Sequence, residues 1–215
     1  MKHVGNICFA MALVFASVFA QAQTPEPTRQ ECSKMSLLAI FAKDQLPTLP
    51  TASVLRAAQD LWVCSARQGM TPAAPVINRA LVLLYTEVFV RQEIFITKKG
   101  LRSPFLADSP LTAMNMKDPR SKEQGICQMA GTLVIISNDG ILRNTHDDRL
   151  TESSTATILQ DVGFLASCAD NFSATVDAPV INLGLVNAEN ELIRRQERFI
   201  NSKGLYNEFL ATTSR

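Results

Sequence analysis

The chain has 215 residues, 47% apolar, 7% aromatic and 19% charged, enough for one globular domain or two small ones with ordinary cores. Lys plus Arg number 21 against 20 Asp plus Glu, a formal charge of +1 with no basic stripe, which argues against a nucleic-acid partner. Two His and two Tyr leave few metal ligands or general bases, so neither a cofactor nor a metal site is implied.

Residues 1–22 read as a secretory signal peptide. Lys2 and His3 precede an apolar run from Ile7 to Ala20, and Ala20-Gln21-Ala22 puts small residues where a signal peptidase reads them. The run is shorter than the roughly 18 to 20 residues of a spanning helix, and no later stretch is apolar enough to cross a membrane. The expected location is therefore periplasmic or secreted. Cleavage after Ala22 removes Lys2 and leaves 20 basic and 20 acidic residues, a formal charge of zero.

The first unit, 23–107, opens with a short expected helix from Cys32 to Lys43. A second is expected from Ala52 to Arg67, with Thr51 as its N-cap and Leu55, Ala58, Leu61 or Trp62, and Ser65 along one face. The third is the longest. Pro75 suits a first turn, Ile77, Leu81, Leu84, Val88 and Phe95 form an apolar stripe, and Lys98-Lys99-Gly100 supplies a cationic last turn and a glycine stop. Residues 108–124, rich in Pro, Ser, Lys and Asp without clear periodicity, read as a linker.

The second unit, 125–215, repeats the first. Laying Cys168 on Cys64 fixes an offset of 104 that runs without a gap to the end. Ala74-Pro75-Val76-Ile77-Asn78 falls on Ala178-Pro179-Val180-Ile181-Asn182, Arg91-Gln92-Glu93 on Arg195-Gln196-Glu197, Lys99-Gly100-Leu101 on Lys203-Gly204-Leu205. Upstream the offset becomes 95, with Cys32 on Cys127 and Leu38 on Leu133, so the second copy carries nine extra residues, placed around Arg143 to Ser154. Thr132 to Ile136 followed by Asn138-Asp139-Gly140 could also begin a hairpin, but correspondence with the first copy favours a helix. The second helix of this copy is expected from about Ala156 to Ala169, and the third carries Ile181, Leu185, Ala188, Leu192 and Phe199 before Lys203-Gly204. The period is too long for a solenoid repeat and implies a duplicated domain.

Four cysteines remain after cleavage, and an even number in an exported chain favours disulfides. If the first two helices of each copy form an antiparallel hairpin, the start of one lies beside the end of the other, which pairs Cys32 with Cys64 and Cys127 with Cys168. The expected architecture is thus all-α, two tandem homologous three-helix units packed about a pseudo-two-fold axis and stabilised by disulfides. In the chain-entropy model each bridge contributes on the order of 3 to 4 kcal/mol.

Two sets of residues are candidates for function. Arg91-Gln92-Glu93 and Arg195-Gln196-Glu197 interrupt the apolar spacing late in both long helices. They form either an ion-pair network that fixes register between the copies or a polar pocket in which Glu93 and Glu197 act as acid and base on an envelope glycan. The second set comes from asymmetry. Leu83, Tyr85, Val90 and Ile94 stand where the second copy has Asn187, Glu189, Arg194 and Arg198, making the first long helix apolar nearly all round and the second amphipathic. Leu83, Val90 and Ile94 are then either centrally buried or a recognition stripe for a protein partner or for self-association. His146-Asp147-Asp148 in the insertion reads as a solvated loop, and no G-x-S-x-G elbow, glycine-rich phosphate loop or H-E-x-x-H is present. The function expected is binding of another macromolecule, as in an envelope accessory, a chaperone or an immunity-type binder. A glycan hydrolase and a purely structural envelope component are the rivals.

Overall fold

In the computed structural model, which describes residues 27–68, 74–107, 122–138 and 149–212, every regular element among those residues is a helix. The leader 1–22, most of the linker and the His146 cluster lie outside them. In the N-terminal half, called the first unit and the C-terminal half the second for reference, α1 spans Arg29–Phe41, a 3-10 turn Lys43–Thr48 follows, then α2 Thr51–Gln68, α3 Ala74–Lys98 and the short α4 Arg102–Phe105. In the second, α5 spans Gln124–Asn138, α6 Arg149–Glu152, α7 Thr155–Phe172, α8 Ala178–Ser202 and α9 Tyr206–Leu210. Thr132 to Asn138, which could have begun a hairpin, form the end of α5, Asp139 and Gly140 lying outside the described residues, and that helix starts at Gln124, inside the stretch read as linker.

Local chemistry sets most of the boundaries. A capping box starts α1: the Glu31 amide donates to Thr28 Oγ1 at 3.3 Å and the Thr28 amide donates to Glu31 Oε2 at 2.6 Å. Ser154 caps α7 by accepting from the Thr157 amide at 3.2 Å. The N-cap expected for α2 differs from that expectation. Thr51 is already helical, and its hydroxyl is taken by Arg91 and by Thr212 instead of a helical amide. Both long helices end in Schellman motifs. Gly100 and Gly204 sit at φ 68° and 70°, while Leu101 N–H donates to Ile96 O at 2.9 Å and Leu205 N–H to Ile200 O at 3.1 Å. The chain then turns sharply into α4 and α9, elements too short for any periodicity to announce.

The long helices α3 and α8 pack against each other at the centre, with α1 and α2 on α3, and α5 and α7 on α8. Ile77, Leu81, Leu84 and Val88 are buried in one core, and Ile181, Leu185, Ala188 and Leu192 are likewise buried in the other half. Neither half closes its own core. Val186 and Ile193 of α8 enter the first cluster, and Phe95, Ile96, Phe105 and Leu106 of the first unit enter the second. The aromatic ends cross over: Phe95 meets Phe209 edge-on at 5.4 Å, and Phe105 meets Phe199 at 5.3 Å. These two pairs are related by exchanging positions 104 apart in the chain.

Each hairpin is tied as the spacing implied. Cys32 bonds Cys64 with Cα atoms 5.6 Å apart, and Cys127 bonds Cys168 at 5.7 Å, all four sulfur-bearing side chains being buried. In the second unit α5 and α8 touch backbone to backbone. A methyl group on Gly184 would lie 2.6 Å from the Gly131 Cα, so only glycine fits there. The corresponding residues of the first unit are Ser36 and Ala80, still small and both fully buried. The Ser36 hydroxyl donates to Cys32 O at 2.8 Å, which satisfies a polar atom the tight approach would otherwise strand.

Candidate functional site

The Arg-Gln-Glu residues divide into three tasks. Arg91 is buried, and its Nε donates to Glu87 Oε1 at 2.7 Å. Its other nitrogens donate to Leu46 O at 2.7 Å and to Leu49 O and Thr51 Oγ1 at 2.8 Å each. One guanidinium therefore pins the connection between α1 and α2 onto α3. Arg195 repeats the pattern with Glu191 Oε1 at 2.8 Å, Ser153 O at 2.8 Å, Thr155 Oγ1 at 3.3 Å and Leu150 O at 3.2 Å. Every one of these partners stands at the same sequence separation in both units. A planar fork with five donors suits this multiple capture of carbonyls, where Lys could not.

The glutamines cross between units. Gln196 Nε2 donates to Glu93 Oε1 at 2.9 Å and Gln92 Nε2 to Ile193 O at 3.4 Å, and among the described residues the carbonyl oxygens of both buried amides lack a partner. Glu93 also receives Arg102 Nη1 at 3.3 Å, and Tyr206 lies beside Glu197, its phenol pushed up to about 12 by burial and by that carboxylate. Residues 102 and 206 are again counterparts. Glu93 is thus held by two side-chain donors, and neither carboxylate proposed as acid and base lines any of the three clefts described below.

Closer to the middle of the α3–α8 contact lies a polar seam that the sequence reading misjudged. Asn187 and Glu189 were grounds for calling α8 amphipathic, but both are buried, while Arg194 and Arg198 do face solvent. Glu189 is 1% exposed. Its Oε1 accepts from Thr86 Oγ1 at 2.8 Å and its Oε2 has no hydrogen-bond partner among the described residues. Burial raises this carboxyl from 4.5 to about 8, the Thr86 hydroxyl offsetting only part of the cost. Tyr85 donates to Asn190 Oδ1 at 3.4 Å, and burial together with Glu189 pushes its phenol upward. The pairs Tyr85–Asn190 and Thr86–Glu189 exchange under the same 104-residue shift as the aromatic ends.

The stripe of Leu83, Val90 and Ile94 is half-buried along its length, and Leu83 packs against the first core. Larger apolar exposure occurs elsewhere, on the first helix of each unit. Phe41 is 81% exposed, Leu38 58% and Leu133 59%. The last two are counterparts, and each stands at the lip of a groove between the first and second helices. The groove of the first unit encloses about 390 Å³ over Met35, Ala39, Leu46 and Leu61, with Arg56 and Asp60 on its wall. That of the second encloses about 310 Å³ over Ala130, Val134, Leu150 and Leu165, with Phe164 and Asp161 on its wall. Met35 and Ala130, Ala39 and Val134, Leu46 and Leu150, and Leu61 and Leu165 occupy matched positions. In the sequence, Leu38 on Leu133 is one more match among many. Only packing reveals that neither leucine serves the core.

A third cleft of about 500 Å³ lies beside α6 and α8 and is more polar, bordered by Glu152, Thr155, Arg195 and Arg198. Among the described residues no cluster of His, Cys, Asp or Glu is arranged to hold a metal ion, and no helix is long and apolar enough to cross a membrane. Comparison with protein-family models, with curated proteins and with solved structures gives no match for this chain.

Proposed function

We propose that this is an exported, disulfide-braced scaffold of two duplicated three-helix units, related by a pseudo-two-fold axis between α3 and α8, that binds a partner protein through the apolar faces of α1 and α5. The duplication is supported by the matched partners of Arg91 and Arg195. The exchanged pairs Phe95–Phe209 and Phe105–Phe199 support the axis. The leader and the paired cysteines support export, since such bonds persist in oxidising compartments.

The observation that carries the binding reading is the pair Leu38 and Leu133. A leucine more than half exposed contributes little to folding, yet the same side chain stands at the same groove lip in both units. The rival hydrolase would need Glu93 and Glu197 free to meet a glycan, whereas Glu93 is engaged by two donors and neither carboxylate lines a described cleft, and we rank it below binding. The half-buried Leu83–Val90–Ile94 stripe also ranks below the two grooves. The test is the double change Leu38→Glu with Leu133→Glu. It should leave helical content and thermal stability near those of the parent while abolishing association, either with the protein that co-purifies or with itself in sedimentation. A folded double variant that associates as the parent does would defeat the reading.

A further inference from the structure

We infer that the groove of the second unit selects an amphipathic helical segment of a partner protein carrying a Lys or Arg beside its apolar anchor, with Asp161 as the group that reads the charge. This inference deepens the binding reading above and rests on it. The groove runs between α5 and α7, and a cleft between two helices is the usual seat of an amphipathic helix whose anchors are spaced three or four residues apart. Its volume of about 310 Å³ accommodates one or two bulky side chains over Leu150 and Leu165.

Charge supplies the specificity. The wall holds Asp161 and no Lys or Arg, and among the described residues nothing hydrogen-bonds or ion-pairs with that half-buried carboxylate. A carboxylate placed against Val134, Phe164 and Leu165 is partly desolvated and unneutralised, which disfavours a purely apolar occupant and an anionic one alike. It equally disfavours an acidic membrane surface. The first groove differs at this point. Ala57 occupies the position matched to Asp161, while Arg56 and Asp60 place one charge of each sign on its wall, so no single sign is selected there.

The experiment is selection of displayed random 12-residue peptides on the full exported protein and on three variants, Asp161→Asn, Asp161→Lys and Leu133→Glu, each first checked for helical content and intact disulfides. The parent should enrich peptides with two bulky apolar residues three or four apart and a Lys or Arg near them. Asp161→Asn should weaken those synthetic peptides by about tenfold, the scale of a close interfacial charge pair, and Asp161→Lys should turn the selected charge acidic. Leu133→Glu should lose the enriched set. If Asp161→Lys fails to fold, the Asn variant alone decides the matter. Groove-dependent peptides whose charge is indifferent to residue 161 would overturn this inference and leave the binding reading standing. Peptides indifferent to Leu133 as well, or no enrichment at all, would overturn the use of this groove altogether.

Discussion

Glu189→Gln should flatten the dependence of stability on pH. In the folded protein this carboxyl is buried against α3 with one oxygen unpartnered, and it holds its proton up to about pH 8, whereas its ordinary value is 4.5. Between those values the folded state keeps a proton that the unfolded chain has lost. Stability from this group is therefore fully present below pH 4.5, falls as pH rises, and levels off above about pH 8. At about 1.4 kcal/mol per unit the loss is at most ~3 kcal/mol by pH 7 and ~5 kcal/mol by pH 8, less whatever the seam recovers by relaxing around Oε2. Glutamine keeps the shape and can still accept from the Thr86 hydroxyl, but cannot ionise. Urea denaturation of parent and variant at several pH values from 5 to 9 should give similar stabilities at the acid end and a variant ahead by a few kcal/mol at the alkaline end. Taking the difference between the two proteins cancels all other titrating groups. Parallel curves would refute the argument, because they would mean that Glu189 is solvated or neutralised in the folded state.

Arg91→Ala should cost about 3 to 5 kcal/mol, since it removes the cation paired with the buried Glu87 carboxylate and three donor contacts to the α1–α2 connection. Arg195→Ala should cost less because its site is wetter, and equal losses in denaturant titrations would contradict that ranking. Gly184→Ala should destabilise by about 1 to 3 kcal/mol by forcing α8 away from α5, while Ala80→Gly, at the matched position of the first unit, should show only the smaller cost of a glycine in a helix. Calorimetry that ranks the two changes the other way would show that α5 can shift without loss.

What could be read from the sequence was whatever depends on spacing within one helix or on one copy matching the other. Ile77, Leu81, Leu84 and Val88 declared the buried face of α3 by their period, and Gly100 and Gly204 declared its end and that of α8 because only that residue makes φ near 70° cheap. The cysteine pairing followed from the hairpin. Side-chain fates decided between helices could not be read in this way. Glu189 belongs to a polar-looking face until α3 covers it, and Leu38 looks like any other core leucine until packing leaves it more than half exposed. Thr51 resembles an N-cap, but Arg91, 40 residues away, takes its hydroxyl. In each case the outcome is decided by what another element does or does not place there, and no local pattern encodes it.

Val90 brings these threads to one position. Arg194, its counterpart, lies near enough to Tyr85 to oppose the upward push on that phenol. The proposed exchange of units maps Tyr85 onto Glu189 and Arg194 onto Val90, so residue 90 should stand to Glu189 as Arg194 stands to Tyr85. Val90 is half-buried, which lets an arginine lay its stem along α3 and keep the guanidinium wet. Val90→Arg should therefore remain folded and set a cation beside the carboxyl that now lacks one. That cation favours the ionised form, lowers the value at which Glu189 gives up its proton, and recovers part of the stability otherwise lost toward pH 8. The gain should vanish in the background of Glu189→Gln, where there is no charge to pair, and that double-mutant comparison isolates the interaction. A Val90→Arg protein that unfolds would place residue 90 inside a closed core and break the exchange at this point. One that folds with an unchanged pH profile would show that the two units do not face each other here as the axis requires.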